Sequence, residues 1–213
     1  MKQLVRLRHR LLLFVLATAA CAPRLKPLTG APAPVRFPAN TLQPGHHTVV
    51  FNWELDDSDL DARGTGAARV ASPDSARLDF FVSGGLGSGA ALLIGDSLAA
   101  PGGDMVRRLV PPAPLIWASL GRLALPALPD TEVRVDGSVL RADIGRPVAW
   151  RITFRGDTLS RVERVSNGRI VEWLERSASG AHYFHTTARR SLRIEITHVN
   201  DSAPFDASIW HPF

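Results

Sequence analysis

The chain has 213 residues, 45% of them apolar, which is enough for one or two domains with a sizeable core. Its formal net charge is +5, but four basic residues lie among the first 20, which contain no acid. Without that segment the charge falls to +1, so the remainder has no electrostatic footprint for nucleic acid. We therefore predict no nucleic-acid partner.

The first 20 residues have the pattern of a targeting segment. The basic stretch MKQLVRLRHR precedes a ten-residue apolar region, LLLFVLATAA, which is too short for a bilayer that requires about 20 residues. Cys21, the only cysteine, follows directly, so an intramolecular disulfide is excluded. The arrangement resembles a bacterial lipoprotein signal, in which a small residue precedes the lipidated Cys. Ordinary secretory cleavage after Ala17–Ala19 is the alternative.

The lipoprotein resemblance implies a membrane anchor at Cys21 and a location in the cell envelope. Ala22 stands where an Asp holds lipoproteins of enteric bacteria in the inner membrane. It therefore favours the outer membrane, with the domain facing the periplasm.

Residues 22–44 contain six prolines in 23 residues, which disfavours both helix and sheet. The segment is either an extended tether or a strap over the domain surface. We accordingly divide the chain into a signal peptide (1–20), a lipidated Cys with a Pro-rich tether (21–46), and a single antiparallel β domain (47–213).

From residue 47 on, apolar side chains recur with the period of two that is typical of antiparallel strands covered on one side. The residues that share a face in this way are Phe51, Trp53 and Leu55; Leu78, Phe80 and Val82; Val148, Trp150, Ile152 and Phe154; and Leu192, Ile194 and Ile196. The pattern predicts a mainly β domain with a meander of strands.

Short polar turns separate these strands. Asp136–Gly137 and Asn167–Gly168 are dipeptides that favour type I′ hairpin turns, whose central residues need a positive φ. Ser179–Gly180 and Ile144–Pro147 mark two further corners.

Gly95, Asp96, Ser97 and Leu98 spell the signature of the GDSL hydrolases, in which the Ser is the nucleophile. The stretch Gly156–Leu159 repeats the form as Gly-Asp-Thr-Leu, and Gly-Asp suits a two-residue type II′ hairpin. The late Asp-x-x-His that the hydrolases need is missing, and no base is placed to activate the serine. We therefore interpret Ser97 as a turn residue and predict that the protein is not an enzyme.

One segment, about residues 105–128, is helical rather than β in character. Pro112 and Pro114 suit a helix start, and Ile116, Leu120 and Leu123 fall on one helical face. The segment is either a core helix packed on the sheet or a lid over an apolar cavity.

Polar side chains give no sign of a metal or cofactor. The pairs His46–His47 and His182–His185 lack the partners of a metal site, and residues three apart on a strand face opposite sides. Arginines at positions 151, 155, 161, 164, 169 and 176 are interleaved with Glu163, Glu172 and Glu175. That pattern predicts a solvated sheet face.

Residues 48–128 resemble the LolA/LolB superfamily of lipoprotein carriers and receptors. The resemblance rests on the order of VVFNWELDD, a second pair of strands, GGLGSGAALLIGD and an apolar insert. It implies a curved antiparallel sheet, a half-open barrel, whose mouth is closed by helices and whose cavity holds acyl chains. The N-terminal helix of the family is replaced here by the Pro-rich stretch.

These observations predict a membrane-anchored lipoprotein that binds an acyl chain or a lipidated partner by burial, without covalent chemistry. The apolar and aromatic residues expected to line the cavity are Phe51, Trp53, Phe80, Ile116, Trp117, Trp150 and Phe154. The same residues could instead fill an ordinary core. A filled core would make the protein a scaffold of an envelope complex.

Overall fold

A computed structural model describes residues 22–38, 41–85, 87–101 and 104–211. Cys21 and the segment read as a signal peptide lie outside the described residues. The domain boundaries therefore stay a prediction. No helix among the described residues combines the length and apolar character needed to cross a membrane.

A single antiparallel sheet of 13 strands dominates the fold, so the predicted fold class, a mainly β curved antiparallel sheet, is confirmed. The strands are β1 (Ala31–Pro32), β2 (His46–Asp57), β3 (Leu60–Ala71), β4 (Ser75–Val82), β5 (Ser88–Ile94), β6 (Ser97–Ala99), β7 (Thr131–Asp136), β8 (Val139–Ile144), β9 (Trp150–Arg155), β10 (Thr158–Ser166), β11 (Arg169–Ser177), β12 (Gly180–His185) and β13 (Arg190–Asp201). Their order across the sheet is β1-β7-β8-β9-β10-β11-β12-β13-β2-β3-β4-β5-β6. Strands that are neighbours in the sheet are also consecutive in the chain, except for the pairs β13–β2 and β1–β7.

The insert, residues 104–129, leaves the sheet after β6 and returns at β7. It contains two short helices, α1 (Asp104–Leu109) and α2 (Ala113–Ser119). Pro112 caps α2 and another proline lies in its first turn, while Gly121 adopts a φ of +89° just past its end. Proline at the start and a left-handed glycine at the end therefore limit α2 to two turns.

The alternation of strands β2 and β13 follows the predicted pattern. Phe51, Trp53 and Leu55 are buried, whereas the residues between them are exposed. A glycine accommodates one of these rings: a Cβ on Gly66, which pairs with Phe51 across the β2–β3 ladder, would collide with that ring. The small residues of β3 thus let the aromatic side chains of β2 lie close to the sheet.

Three of the four hairpin turns predicted from Asp-Gly, Asn-Gly and Gly-Asp dipeptides are confirmed. Asn167 and Gly168 both take a positive φ, and Gly95 and Gly156 take φ of +56° and +58° at the first central position. The Asp136–Gly137 prediction is wrong in register. Asp136 pairs with Val139, so Gly137 and Ser138 form the turn, because Gly137 supplies the positive φ and Asp136 can stay extended in β7.

The predicted solvated face of arginines and glutamates is also wrong in part. Arg151 is 9% exposed and donates from Nε and NH2 to the two carboxylate oxygens of Asp143, at 2.6 and 2.7 Å. Glu172 is 1% exposed. Paired charges can be buried on either side of a strand. The alternation of charged and apolar residues therefore cannot show whether the charged side is covered.

The Pro-rich segment lies against the sheet where it is described. Backbone hydrogen bonds join Leu25 to Gly168 and Ala33 to Val133, both between 2.9 and 3.0 Å. The ring of Phe37 stacks on Phe154 with centroids 6.1 Å apart. Of the two interpretations of this segment, these contacts are those of a strap.

Candidate functional site

The concave side of the sheet is the candidate site, and the insert shows how strongly the sheet curves. Helix α2 packs on β10, β11 and β12. The indole Nε1 of Trp117 in α2 donates 2.8 Å to the carbonyl oxygen of Gly95, in the β5–β6 turn. In the sheet order β5 lies six strands from β11, which in a flat sheet corresponds to roughly 29 Å. One short helix reaches both regions only because the sheet folds around the insert.

All seven residues predicted to line a cavity lie in one continuous core cluster. Their exposures are 2% for Phe51, 1% for Trp53, 2% for Phe80, 3% for Ile116, 0% for Trp117, 7% for Trp150 and 0% for Phe154. The structure therefore brings these residues together. Their contact with a ligand stays a prediction.

The space left among these side chains is small and apolar. One cavity of about 10 Å³ is bordered by Phe80, Ile116 and Tyr183, and a second of about 20 Å³ by Phe51, Leu120 and other residues. Both cavities share Leu78, Ser119, Ala181 and Ile194 as lining residues. We call this line of two cavities, between α2 and strands β12 and β13, the seam. The volume of each cavity is of the order of one water molecule, so the side chains on the concave side are closely packed.

The insert is held mainly by apolar side chains. Leu109, Leu115, Ile116 and Trp117 are all at most 3% exposed. Val106 of α1 fits over Gly89 of β5, where a Cβ would lie 2.6 Å from a Val106 methyl carbon. In the described part of the insert, no backbone hydrogen bond joins it to a strand. Polar side chains also attach the insert to the sheet, at the β2–β3 hairpin and around Trp117.

One of the polar attachments is at the β2–β3 hairpin. Arg108 of the insert pairs with Asp59, and its NH1 lies 3.5 Å from the Oδ2 of Asp57. Asp57 also accepts a hydrogen bond of 2.8 Å from Arg190 Nε. Burial alone would raise the pKa of Asp57, but the Ser58 backbone N–H and the two arginines outweigh it and hold this pKa below its ordinary value.

The second polar attachment surrounds Trp117. The Arg122 guanidinium lies 4.5 Å from the centroid of the Trp117 ring and also donates to Gly95 O at 3.4 Å. This cation–π contact and the indole hydrogen bond fix the position of α2 over the sheet.

Two polar groups beside the seam were missed by the sequence interpretation. Tyr183 lines the cavity of about 10 Å³, which Leu109 of α1 also borders, and its hydroxyl donates 2.7 Å to Glu172, which also accepts from Arg164. Burial, reinforced by the Glu172 carboxylate, raises the pKa of the Tyr183 phenol far above its ordinary value. The signal for this network was the placement of Glu172 two residues before Leu174, on the inward side of β11.

Arg176 is another residue that the sequence pattern assigned to the solvated face. It follows Glu172 and Leu174 on the inward side of β11, and its guanidinium packs against Gly121 at the end of α2. Its Nε is the one buried side-chain nitrogen or oxygen without a hydrogen-bond partner among the described residues.

Ser97 begins β6 and pairs with Ile94 directly after the Gly95–Asp96 turn. The turn interpretation of the GDSL tetrapeptide is therefore confirmed, while the absence of a catalytic role stays a prediction. An esterase activity that Ser97→Ala removes would contradict it. No group of three or more His, Cys, Asp or Glu side chains that could hold a metal occurs within residues 22–38, 41–85, 87–101 and 104–211.

No protein-family model and no curated protein sequence matches the chain. Solved structures do resemble it. A LolA superfamily protein from Nitrosomonas europaea has a TM-score of 0.49 and 10% identity, covering 81% of this chain and 92% of its own. A domain described as an outer membrane lipoprotein-sorting protein, from Vibrio parahaemolyticus, has a TM-score of 0.48 and 7% identity, covering 78% and 89%.

A DUF1329 family protein from Desulfovibrio piger is also similar, with a TM-score of 0.42, 10% identity and coverage of 79% of this chain and 90% of its own.

Proposed function

We propose that this chain binds the acyl chain of a lipid or of a lipidated protein between the concave side of its sheet and the insert. The observation that carries the proposal is the way in which the insert is attached. Apolar side chains fill the concave side, and the described insert makes no backbone hydrogen bond with the strands. An apolar ligand can replace such contacts without breaking the sheet.

The energies of the two states are comparable. The four buried side chains Leu109, Leu115, Ile116 and Trp117 contribute roughly 1.5–3 kcal/mol each through burial. A chain of about 14 methylene groups gains about 11 kcal/mol when fully buried, at about 0.8 kcal/mol per group. Exchange of the insert for an acyl chain is therefore close to balanced, which is what reversible carriage requires.

Binding of a fluorescent fatty acid tests this proposal. We expect the full-length chain carrying Cys21→Ala to bind the probe, and bound probe to increase protease cleavage within residues 104–129. Cleavage at the β9–β10 turn, Gly156–Asp157, which joins two strands of the sheet, serves as the internal control and should not change. Absence of binding, or binding that leaves cleavage of the insert unchanged, would contradict displacement of the insert.

The tight packing of the concave side favours one alternative function. With cavities of only about 10 and 20 Å³, the domain could serve as a rigid scaffold of an envelope complex. The scaffold predicts no probe binding and an insert that resists cleavage at every probe concentration.

We further propose that Cys21 anchors the protein in the outer membrane, facing the periplasm. The basic and apolar residues before this single cysteine support the proposal. Two or more acyl chains give stable anchoring, so Cys21→Ala should move nearly all of the protein from the membrane fraction to the soluble fraction. Intact-mass measurement of the wild type should show acyl groups on Cys21, and a free thiol there would contradict the proposal.

A further inference from the structure

Arg176 lies next to residues that line the seam. Strand alternation places it on the same side of β11 as Leu174, which lines the first cavity. Its cross-strand neighbour on β12 is Ala181, which lines both cavities. Arg176, Ala181 and Ile194 also border an open surface cleft of about 410 Å³. Ala181 and Ile194 thus border both the seam and the cleft, and Arg176 borders the cleft beside them.

The two carboxylates of β11 near Arg176 are engaged elsewhere, and among the described residues no ion pair joins it to Glu195, which borders the same cleft. Glu172, four residues before it on the same side of β11, accepts from Arg164 and from Tyr183. Glu175 lies on the opposite side and pairs with Arg161 at 3.2 Å. Within the described part of the chain, the Arg176 side chain forms no hydrogen bond or ion pair, and its Nε is buried.

A partly buried guanidinium without a counter-ion is costly, because burial removes water from a group that stays charged at every physiological pH. Burial is also the cause that lowers the pKa of Arg176 from its ordinary value. The planar fork of donors on a guanidinium matches a carboxylate or a phosphate, to which it donates two parallel hydrogen bonds.

We propose that Arg176 binds the anionic group, a carboxylate or a phosphate, of a lipid whose acyl chain enters the seam. This inference rests on the proposed function and names its ligand class: lipids with a negatively charged headgroup. The acylated cysteine of a lipoprotein carries esters and an amide, which have no charge for Arg176 to neutralise. The site therefore favours an acidic lipid over a lipoprotein terminus.

A pair of probes that differ only in charge tests the inference. Dansyl-undecanoic acid and its methyl ester are titrated against the full-length chain carrying Cys21→Ala. The acid should bind about tenfold more tightly than the ester, as expected for one hydrogen-bonded charge pair. In Arg176→Gln the difference should disappear through weaker binding of the acid, and Arg176→Lys should restore part of it.

Arg193→Gln is the matched control, because it removes the same charge from an exposed side chain that borders the same cleft. It should leave the preference for the acid unchanged. Arg176→Gln should unfold at the temperature of the parent protein or above it, since it removes a partly buried charge that has no protein partner.

The outcomes separate the two proposals. Equal binding of acid and ester by the parent protein overturns the role of Arg176 and leaves acyl binding standing. Failure to bind either probe overturns both. Displacement of the acid by phosphatidylglycerol vesicles, but not by vesicles of neutral diacylglycerol in phosphatidylcholine, identifies the phosphate of a phospholipid as the anionic group. Displacement only by unlabelled fatty acid identifies a carboxylate.

Discussion

Trp117→Asp is expected to detach the insert while the 13-stranded sheet remains folded. Trp117 is 0% exposed, and truncation of a buried Trp costs about 3–5 kcal/mol before the added cost of an unpaired buried carboxylate. The protein can avoid most of that cost by releasing the insert, because no described backbone hydrogen bond ties it to a strand. The loss of stability is therefore limited to the free energy of docking the insert.

Proteolysis and circular dichroism measure the two effects separately. Cleavage within residues 104–129 should become rapid, and the strand signal should persist. Ile152→Asp is the control, since Ile152 is also 0% exposed but lies on β9, which is paired with β8 and β10 on its two sides. Ile152 cannot leave the sheet, so Ile152→Asp should lower the free energy of unfolding by more than about 4 kcal/mol. If Trp117→Asp unfolds the sheet as completely as Ile152→Asp does, the insert is part of one cooperative unit and displacement is wrong.

Glu172→Ala is expected to cost about 2–4 kcal/mol of the free energy of unfolding, because it leaves the buried Tyr183 hydroxyl without an acceptor and removes the charge partner of Arg164, whose side chain is 41% exposed. Glu172 is 1% exposed and accepts from Arg164 and from the Tyr183 hydroxyl. Its removal leaves both donors without their acceptor beside the seam. Urea unfolding of the variant, followed by strand circular dichroism, gives the value.

Glu175→Ala provides the comparison on the same strand. The Glu175 side chain is 52% exposed and pairs with Arg161, so its removal should cost less than about 1 kcal/mol. Equal losses in the two variants would contradict the view that burial decides the difference. Tyr183→Phe should fall between them, at about 1.5–3 kcal/mol, because it removes one hydrogen bond to a charged group.

The alternation of apolar residues was sufficient to predict much of the sheet. Phe51, Trp53 and Leu55 point inward as expected, because a strand with one covered side must place every second residue in the core. The glycines of the Gly95–Asp96 and Asn167–Gly168 turns were equally informative, since few other residues adopt a positive φ. Local stereochemistry therefore determines the strands, the hairpins and the limits of α2.

Tertiary structure alone decided what covers each side of the sheet. Arg151 and Glu172 have the sequence pattern of solvated residues, yet both are buried, with Asp143 and Tyr183 beside them on the neighbouring hairpin strands. Arg176 shares that pattern and lies beside the seam with its Nε unpartnered. The pairing of Arg151 and Glu172 is local, whereas the burial of these side chains depends on what covers the sheet, which is non-local. Apolar alternation and turn residues thus predicted an antiparallel β domain with an apolar insert, and the family resemblance implied its curvature. The packed concave side and the unpartnered cation beside it follow from the way the sheet closes around α2.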